Sequence, residues 1–167
     1  MSIEAVTAAV GEESIDFAGM SSPDGAVTLV VVETGEAAAE AAAELDALVE
    51  LHGGQVVKRE GAACMCSFPS AHAGLRCALE LGRDLGRLAP RVGAHSGFVL
   101  ADGTDFYGRN VVLVGRIADH AEPGEVLVSA PLREYTGSDP TFAFEPRGEH
   151  YFKGLHGEHA VFSAKTA

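Results

Sequence analysis

The chain has 167 residues, 47% of them hydrophobic, which is enough apolar material to close one core and argues against a disordered chain. Twelve basic against twenty-four acidic residues leave a formal net charge of −12 at pH 7. That balance argues against a nucleic-acid or anionic-membrane partner, since both kinds of binding rest on clustered Lys and Arg.

Residues 1–25 are mixed and end in the turn-forming run Ser21-Ser22-Pro23-Asp24-Gly25, so they are predicted to be a weak helix or arm ahead of a domain spanning 26–167. Val27 to Val32 is apolar on both faces, as expected of a strand in the middle of a sheet, with Glu33 at its C-terminal end. This is the longest apolar run, and it falls well short of the ~20 residues of a membrane-spanning helix. The N-terminus carries acidic residues where a secretion signal would be basic, and the expected location is the cytoplasm.

From Glu36 to Leu51 alanine dominates, with Leu45, Leu48 and Val49 on one stripe and Glu36, Glu40 and Glu44 on another. The pattern predicts a helix closed by His52-Gly53-Gly54. Val56 to Phe68 reads as a hairpin turning at Gly61, because β-branched and aromatic residues flank a turn residue. Its tip carries Ala62, which has no side-chain donor for a cation. Leu75, Leu79, Leu81, Leu85 and Leu88 then predict a second helix stopped by Pro90.

Arg91 to Leu100 is predicted as a strand, Tyr107 to Ala121 as a helix, Glu125 to Ser129 as a strand, and Phe142 to Ser163 as short strands around Gly148 and Gly154. The order is close to βαββαβ with additional C-terminal strands. It predicts an α+β sandwich of ferredoxin-like type, an antiparallel or mixed sheet with helices on one face. Cys64 and Cys66 share one face of a strand and, with Cys77, read as small buried hydrophobes in a reducing compartment. His150, His156 and His159 straddle a glycine-rich turn and read as surface imidazoles.

Four separated stretches, Asp24 to Glu33, Val57 to Phe68, Arg91 to Ser129 and Arg147 to Leu155, together resemble the catalytic domain of class III adenylate and guanylate cyclases, in its bacterial form. The most specific are Asp105-Phe106-Tyr107-Gly108, Arg116-Ile117, Ala121-Glu122-Pro123-Gly124-Glu125-Val126-Leu127-Val128-Ser129 and Lys153-Gly154-Leu155. The resemblance implies a class III cyclase fold, a dimer with two composite sites, and Mg or Mn ions that help the ribose 3′-hydroxyl of ATP or GTP displace pyrophosphate. Two-metal chemistry needs carboxylates because each ion stabilises a different oxygen of the displacement.

Carried over by position, the family's two metal aspartates fall on Glu33 and Ala62, so one carboxylate is kept in longer form and the other is lost. Glu33 alone would hold at most one weakly bound Mg or Mn; it reads equally well as a solvated strand end. The family's transition-state asparagine and arginine fall on Val112 and Arg116, four residues apart on one helix face. The purine-reading lysine and aspartate fall on Lys58 and Asp105, a pair that favours ATP over GTP, and the phosphate lysine falls on Lys153. Lys58, Asp105 and Lys153 each read alternatively as a solvated charge, and the helix carrying Arg116 as an ordinary core helix.

The function these residues predict is a degenerate, catalytically impaired cyclase-like domain, a pseudoenzyme serving as a nucleotide-binding or dimerising signalling module. Two alternatives stay open. One is the base-binding half of a heterodimeric adenylate cyclase whose complete partner chain supplies both aspartates. The other is a small-molecule sensor using the former active site, which Ala62 and Val112 have made more apolar.

Overall fold

Val27–Glu33 (β1) occupies the centre of a seven-stranded sheet, as its two-sided apolar sequence requires. The computed structural model describes residues 26–103 and 105–167, and the arm expected over residues 1–25 lies outside them. After β1 come α1 (Ala38–Leu51), the hairpin β2 (Gln55–Glu60) and β3 (Ala63–Phe68), α2 (Ala71–Asp84) and β4 (Arg91–Gly97). A small second sheet of β5 (Leu100–Asp102) and β6 (Asp105–Tyr107) precedes α3 (Arg109–His120). The chain closes with β7 (Val126–Ser129), α4 (Ala130–Thr136), β8 (Phe142–Tyr151) and β9 (Glu158–Thr166).

The large sheet runs β2-β3-β1-β4-β7-β9-β8, with β4 and β7 parallel and every other neighbouring pair antiparallel. Alternate residues of β1 feed two cores. Val30 and Val32 pack with Leu45 and Val49 of α1, Leu75 and Leu81 of α2 and Leu132 of α4. Val27, Leu29 and Val31 pack with Met65 of β3 and with Val111, Val114 and Ala118 of α3. Helices therefore cover both faces of the sheet, which corrects the one-sided arrangement expected from the sequence. A strand that is apolar on both faces needs a lid on each.

Helix α3 lies very close to the sheet, because a Cβ on Gly93 would come within 2.4 Å of the Ala118 backbone nitrogen. Only glycine permits that approach. The expected helix from Tyr107 begins later, at Arg109, because Asp105–Tyr107 pair with Leu100–Asp102 and Gly108 forms the N-cap at φ 117°. The expected strand through Leu100 breaks after Gly97 for the same reason. The second helix also ends early, at Asp84, and continues as one 3-10 turn to Leu88.

The C-terminal strands are longer than expected, forming one hairpin with an irregularity between Pro146 and Glu149, where Gly148 takes φ +89°. Helix α4 went unread in the sequence although its signal is present: Ser129 caps it, accepting from Leu132 N, and Pro131 sits in its first turn. The three cysteines are buried free thiols, with Cys64 and Cys66 Sγ 3.8 Å apart on the α1 and α2 face. Burial pushes the Cys77 thiol up to about 12.

Candidate functional site

Antiparallel pairing brings the end of β1 against the hairpin tip. Glu33 is register partner to Ala63 on one side and Arg91 on the other, and Thr34 N donates to the Ala62 carbonyl at 3.1 Å. The two positions singled out for a metal are thus neighbours. Their side chains do not make a metal site: Ala62 offers a methyl group, and Glu33 is engaged with Asp119 of α3. Burial, then the charge and hydrogen bond of Asp119, raise the Glu33 carboxyl above its ordinary value, against the opposing pull of Arg91. No group of three His, Cys, Asp or Glu side chains converges among the described residues. The donor set does not fit the two-ion arrangement that the resemblance implies.

Lys58 and Asp105 do meet. Lys58 Nζ donates to Asp105 Oδ1 at 3.0 Å, linking β2 to β6, and the same oxygen accepts from Phe106 N at 2.8 Å. Both side chains are largely screened from water, 17% and 28% exposed. Burial alone would raise the Asp105 carboxyl. The hydrogen bond and charge of Lys58, with the Phe106 N–H, outweigh it and hold the group below its usual range. Asp105 is therefore an acceptor at neutral pH.

Arg116 and Lys153 also come together, since Arg116 Nε donates to the Lys153 carbonyl at 3.1 Å. This bond uses the backbone of Lys153 and leaves its exposed ammonium group on the surface. Val112, one turn before Arg116, is only 1% exposed. An apolar side chain so enclosed neither donates nor accepts, and the helix face that carries Arg116 is dry at this step.

The turn Glu122 to Glu125 is tied to β8 by a two-point bond, Arg147 Nε to Glu125 Oε2 at 2.7 Å and Arg147 Nη2 to Glu125 Oε1 at 3.0 Å. A planar fork of this kind fixes direction as well as distance. It holds β8, and through it the segment around Lys153, against the end of α3.

Sequence reasoning missed a buried polar chain beneath α3. His95 of β4 is 2% exposed; its Nε2–H donates to Asn110 Oδ1 at 2.7 Å and its Nδ1 accepts from Ser129 Oγ at 2.6 Å. Asn110 Nδ2 in turn donates to the Phe98 carbonyl at 2.7 Å. Burial pushes the His95 pKa down despite the opposing Asn110 bond, so the ring is neutral. The available signal was a polar His-Ser step inside an otherwise small and apolar strand. The C-terminal histidines lie in a small ring cluster: His150 sits against His120 with ring centroids 4.1 Å apart and the rings tilted by 50°, and Phe152 lies between His150 and His159.

A seven-stranded mixed sheet with α3 laid across its centre is the architecture of the class III cyclase domains. The chain has the fold of the adenylate and guanylate cyclase catalytic domains. In sequence it is 31% identical over 121 residues to a Rhizobium meliloti protein named "Putative adenylate cyclase 3", a match spanning 66% of this chain and 21% of that protein. It is 34% identical over 103 residues to an uncharacterised Mycobacterium tuberculosis protein, across 59% of this chain and 27% of the relative. The chain thus corresponds to only about a fifth to a quarter of the length of these curated relatives.

Among solved structures, the adenylate/guanylate cyclase/hydrolase of Silicibacter pomeroyi superposes with a TM-score of 0.77 at 20% identity, covering 89% of this chain and 99% of that one. The adenylyl cyclase CyaB of P. aeruginosa gives 0.75 at 17%, covering 88% and 97%. No protein-family profile matches the chain. Among the described residues no helix is long and apolar enough to cross a membrane.

Proposed function

We propose that residues 26–167 form a catalytically impaired cyclase-like domain that binds an ATP-type nucleotide without cyclising it and acts as a dimerising signalling module. The observation that carries this reading is the contrast between two pairs of positions. Lys58 and Asp105 are held together at 3.0 Å with their charges intact, whereas Ala62 and the enclosed Val112 supply no polar atom where chemistry would need one. Losing a metal ligand and a transition-state donor costs on the order of 2–4 kcal/mol of barrier each. Binding groups survive such losses because recognition and turnover use different atoms.

In this reading Lys58 and Asp105 address the purine, Arg116 and Lys153 address phosphates, and Glu33 no longer serves a metal. Two copies complete the assembly, since the expected nucleotide site lies between subunits. The test is an equilibrium titration of the purified chain with ATP and GTP, in Mg and in Mn, with cyclic nucleotide quantified in the same samples. Saturable binding with background product supports the proposal; robust product formation overturns it.

A second reading is favoured by the same asymmetry: Lys58, Asp105, Arg116 and Lys153, which read base and phosphate, remain, while the metal positions at Glu33 and Ala62 are altered. A complete cyclase chain would then supply both aspartates. Co-purification with such a chain and activity above that chain alone would support it, and the absence of both would remove it.

A further inference from the structure

We propose that a cavity beside the first turn of α3 is a binding site for a free α-amino acid with an apolar side chain. The cavity measures about 410 Å³ and opens between α3, the start of α4 and the start of β9. It uses a different stripe of α3, Arg109, Asn110, Leu113 and Ile117, from the one that carries Val112 and Arg116. The inference therefore stands apart from the nucleotide reading.

Its size and lining suit a small molecule, a mostly apolar hollow with a few placed polar groups. Leu113, Ile117 and Pro131 supply the apolar surface. His95 and Ser129 form a polar floor that carries no charge, because the ring is neutral and both its nitrogens are already bonded. The charge sits on the walls. Arg109 enters from α3 and Glu158 from β9, and neither is ion-paired among the described residues, with each other or with anything else.

An unpaired guanidinium and an unpaired carboxylate on separate walls of one apolar cavity complement a molecule with a carboxylate, an ammonium group and an apolar body. A carboxylate alone would leave Glu158 opposed to it, and an amine alone would leave Arg109 unanswered. Strand geometry adds backbone groups. Strand β9 pairs with β7 only from Val161 onward, so Glu158 to Ala160 run past the end of β7 with that edge open to the cavity. A ligand's own amine and carboxylate can engage such an edge as a strand would.

The test is calorimetric titration and thermal shift of the full chain against the standard free amino acids at millimolar concentration, repeated with N-acetyl and carboxamide derivatives of any that bind. At least one apolar amino acid binds saturably, and blocking either of its charged ends weakens it about tenfold, the loss expected for one hydrogen-bonded charge. Arg109→Gln and Glu158→Gln, both surface changes, weaken it by the same factor. Lys58→Ala leaves it unchanged while weakening ATP, and Arg109→Gln leaves ATP unchanged. Failure of every apolar amino acid to bind, or binding indifferent to both wall substitutions, overturns the proposal, whatever the outcome with ATP.

Discussion

Lys58 Nζ and Asp105 Oδ1 lie 3.0 Å apart, joining the edge strand β2 to the small β5–β6 sheet across 47 residues of sequence. An ion pair this far from full burial adds at most about 1 kcal/mol of stability. Its larger consequence is for recognition, since an ammonium donor and a carboxylate acceptor stand side by side where a purine edge could take one bond from each.

Lys58→Ala and Asp105→Ala are each expected to weaken ATP binding at least about tenfold, the cost of leaving a charged partner unanswered. The double variant should cost little more than either alone, because the two groups act on one ring. Fluorescence titration with a labelled ATP analogue checks this. Strictly additive losses would place the two residues in separate sites.

Glu33 faces Asp119, and burial followed by that neighbour's charge raises its carboxyl. A carboxyl raised on folding contributes stability fully present below its unfolded pKa and lost as pH rises through the folded value. At neutral pH the ionised pair is therefore a cost. Glu33→Gln should raise Tm at pH 8, by an amount that solvent screening of the partly exposed pair keeps small, and change it little at pH 4. Thermal melts of both proteins across that range test it; equal shifts at both pH values would detach Glu33 from Asp119.

His95 behaves in the opposite sense. Its pKa is lowered by burial, so the unfolded chain binds the proton more readily, and stability is complete above the ordinary value of 6.5 and falls as pH drops below it. His95→Ala should remove most of that slope and cost about 2–4 kcal/mol at neutral pH, from the cavity and from Asn110 and Ser129 left unpaired. Urea denaturation at pH 7.5 and pH 5 measures both effects. A variant that loses stability but keeps the acid slope would assign the slope elsewhere.

If the cyclase-type site has decayed only at the named positions, the triple change Glu33→Asp, Ala62→Asp and Val112→Asn should bring cyclic nucleotide formation above background. The asparagine enters a site only 1% exposed, at a cost of roughly 1–3 kcal/mol unless it finds partners. Circular dichroism and melting therefore accompany the activity assay. A folded triple variant without activity would show that the decay extends further.

Much of the architecture was legible because β1, the β2–β3 hairpin and the helices carry strong periodicity. The placement of α3 was not, since nothing local to residues 109–120 says which face of the sheet it covers. That choice depends on Gly93, a strand residue whose missing Cβ admits Ala118. The candidate positions were named from the sequence, but their contacts were not. Asp119 as the neighbour of Glu33, and the Lys153 carbonyl as the acceptor of Arg116, join residues from separate elements and follow only from the fold. His95 escaped because burial, which gives it meaning, is a tertiary property.

The central claim is a domain that holds nucleotide without converting it. The most direct measurement is cyclic AMP and pyrophosphate release from the unmodified chain at saturating ATP, with Mg and with Mn, beside the triple variant. The account predicts background release from the native chain while ATP remains bound, and sustained release of both products from the native chain would contradict it.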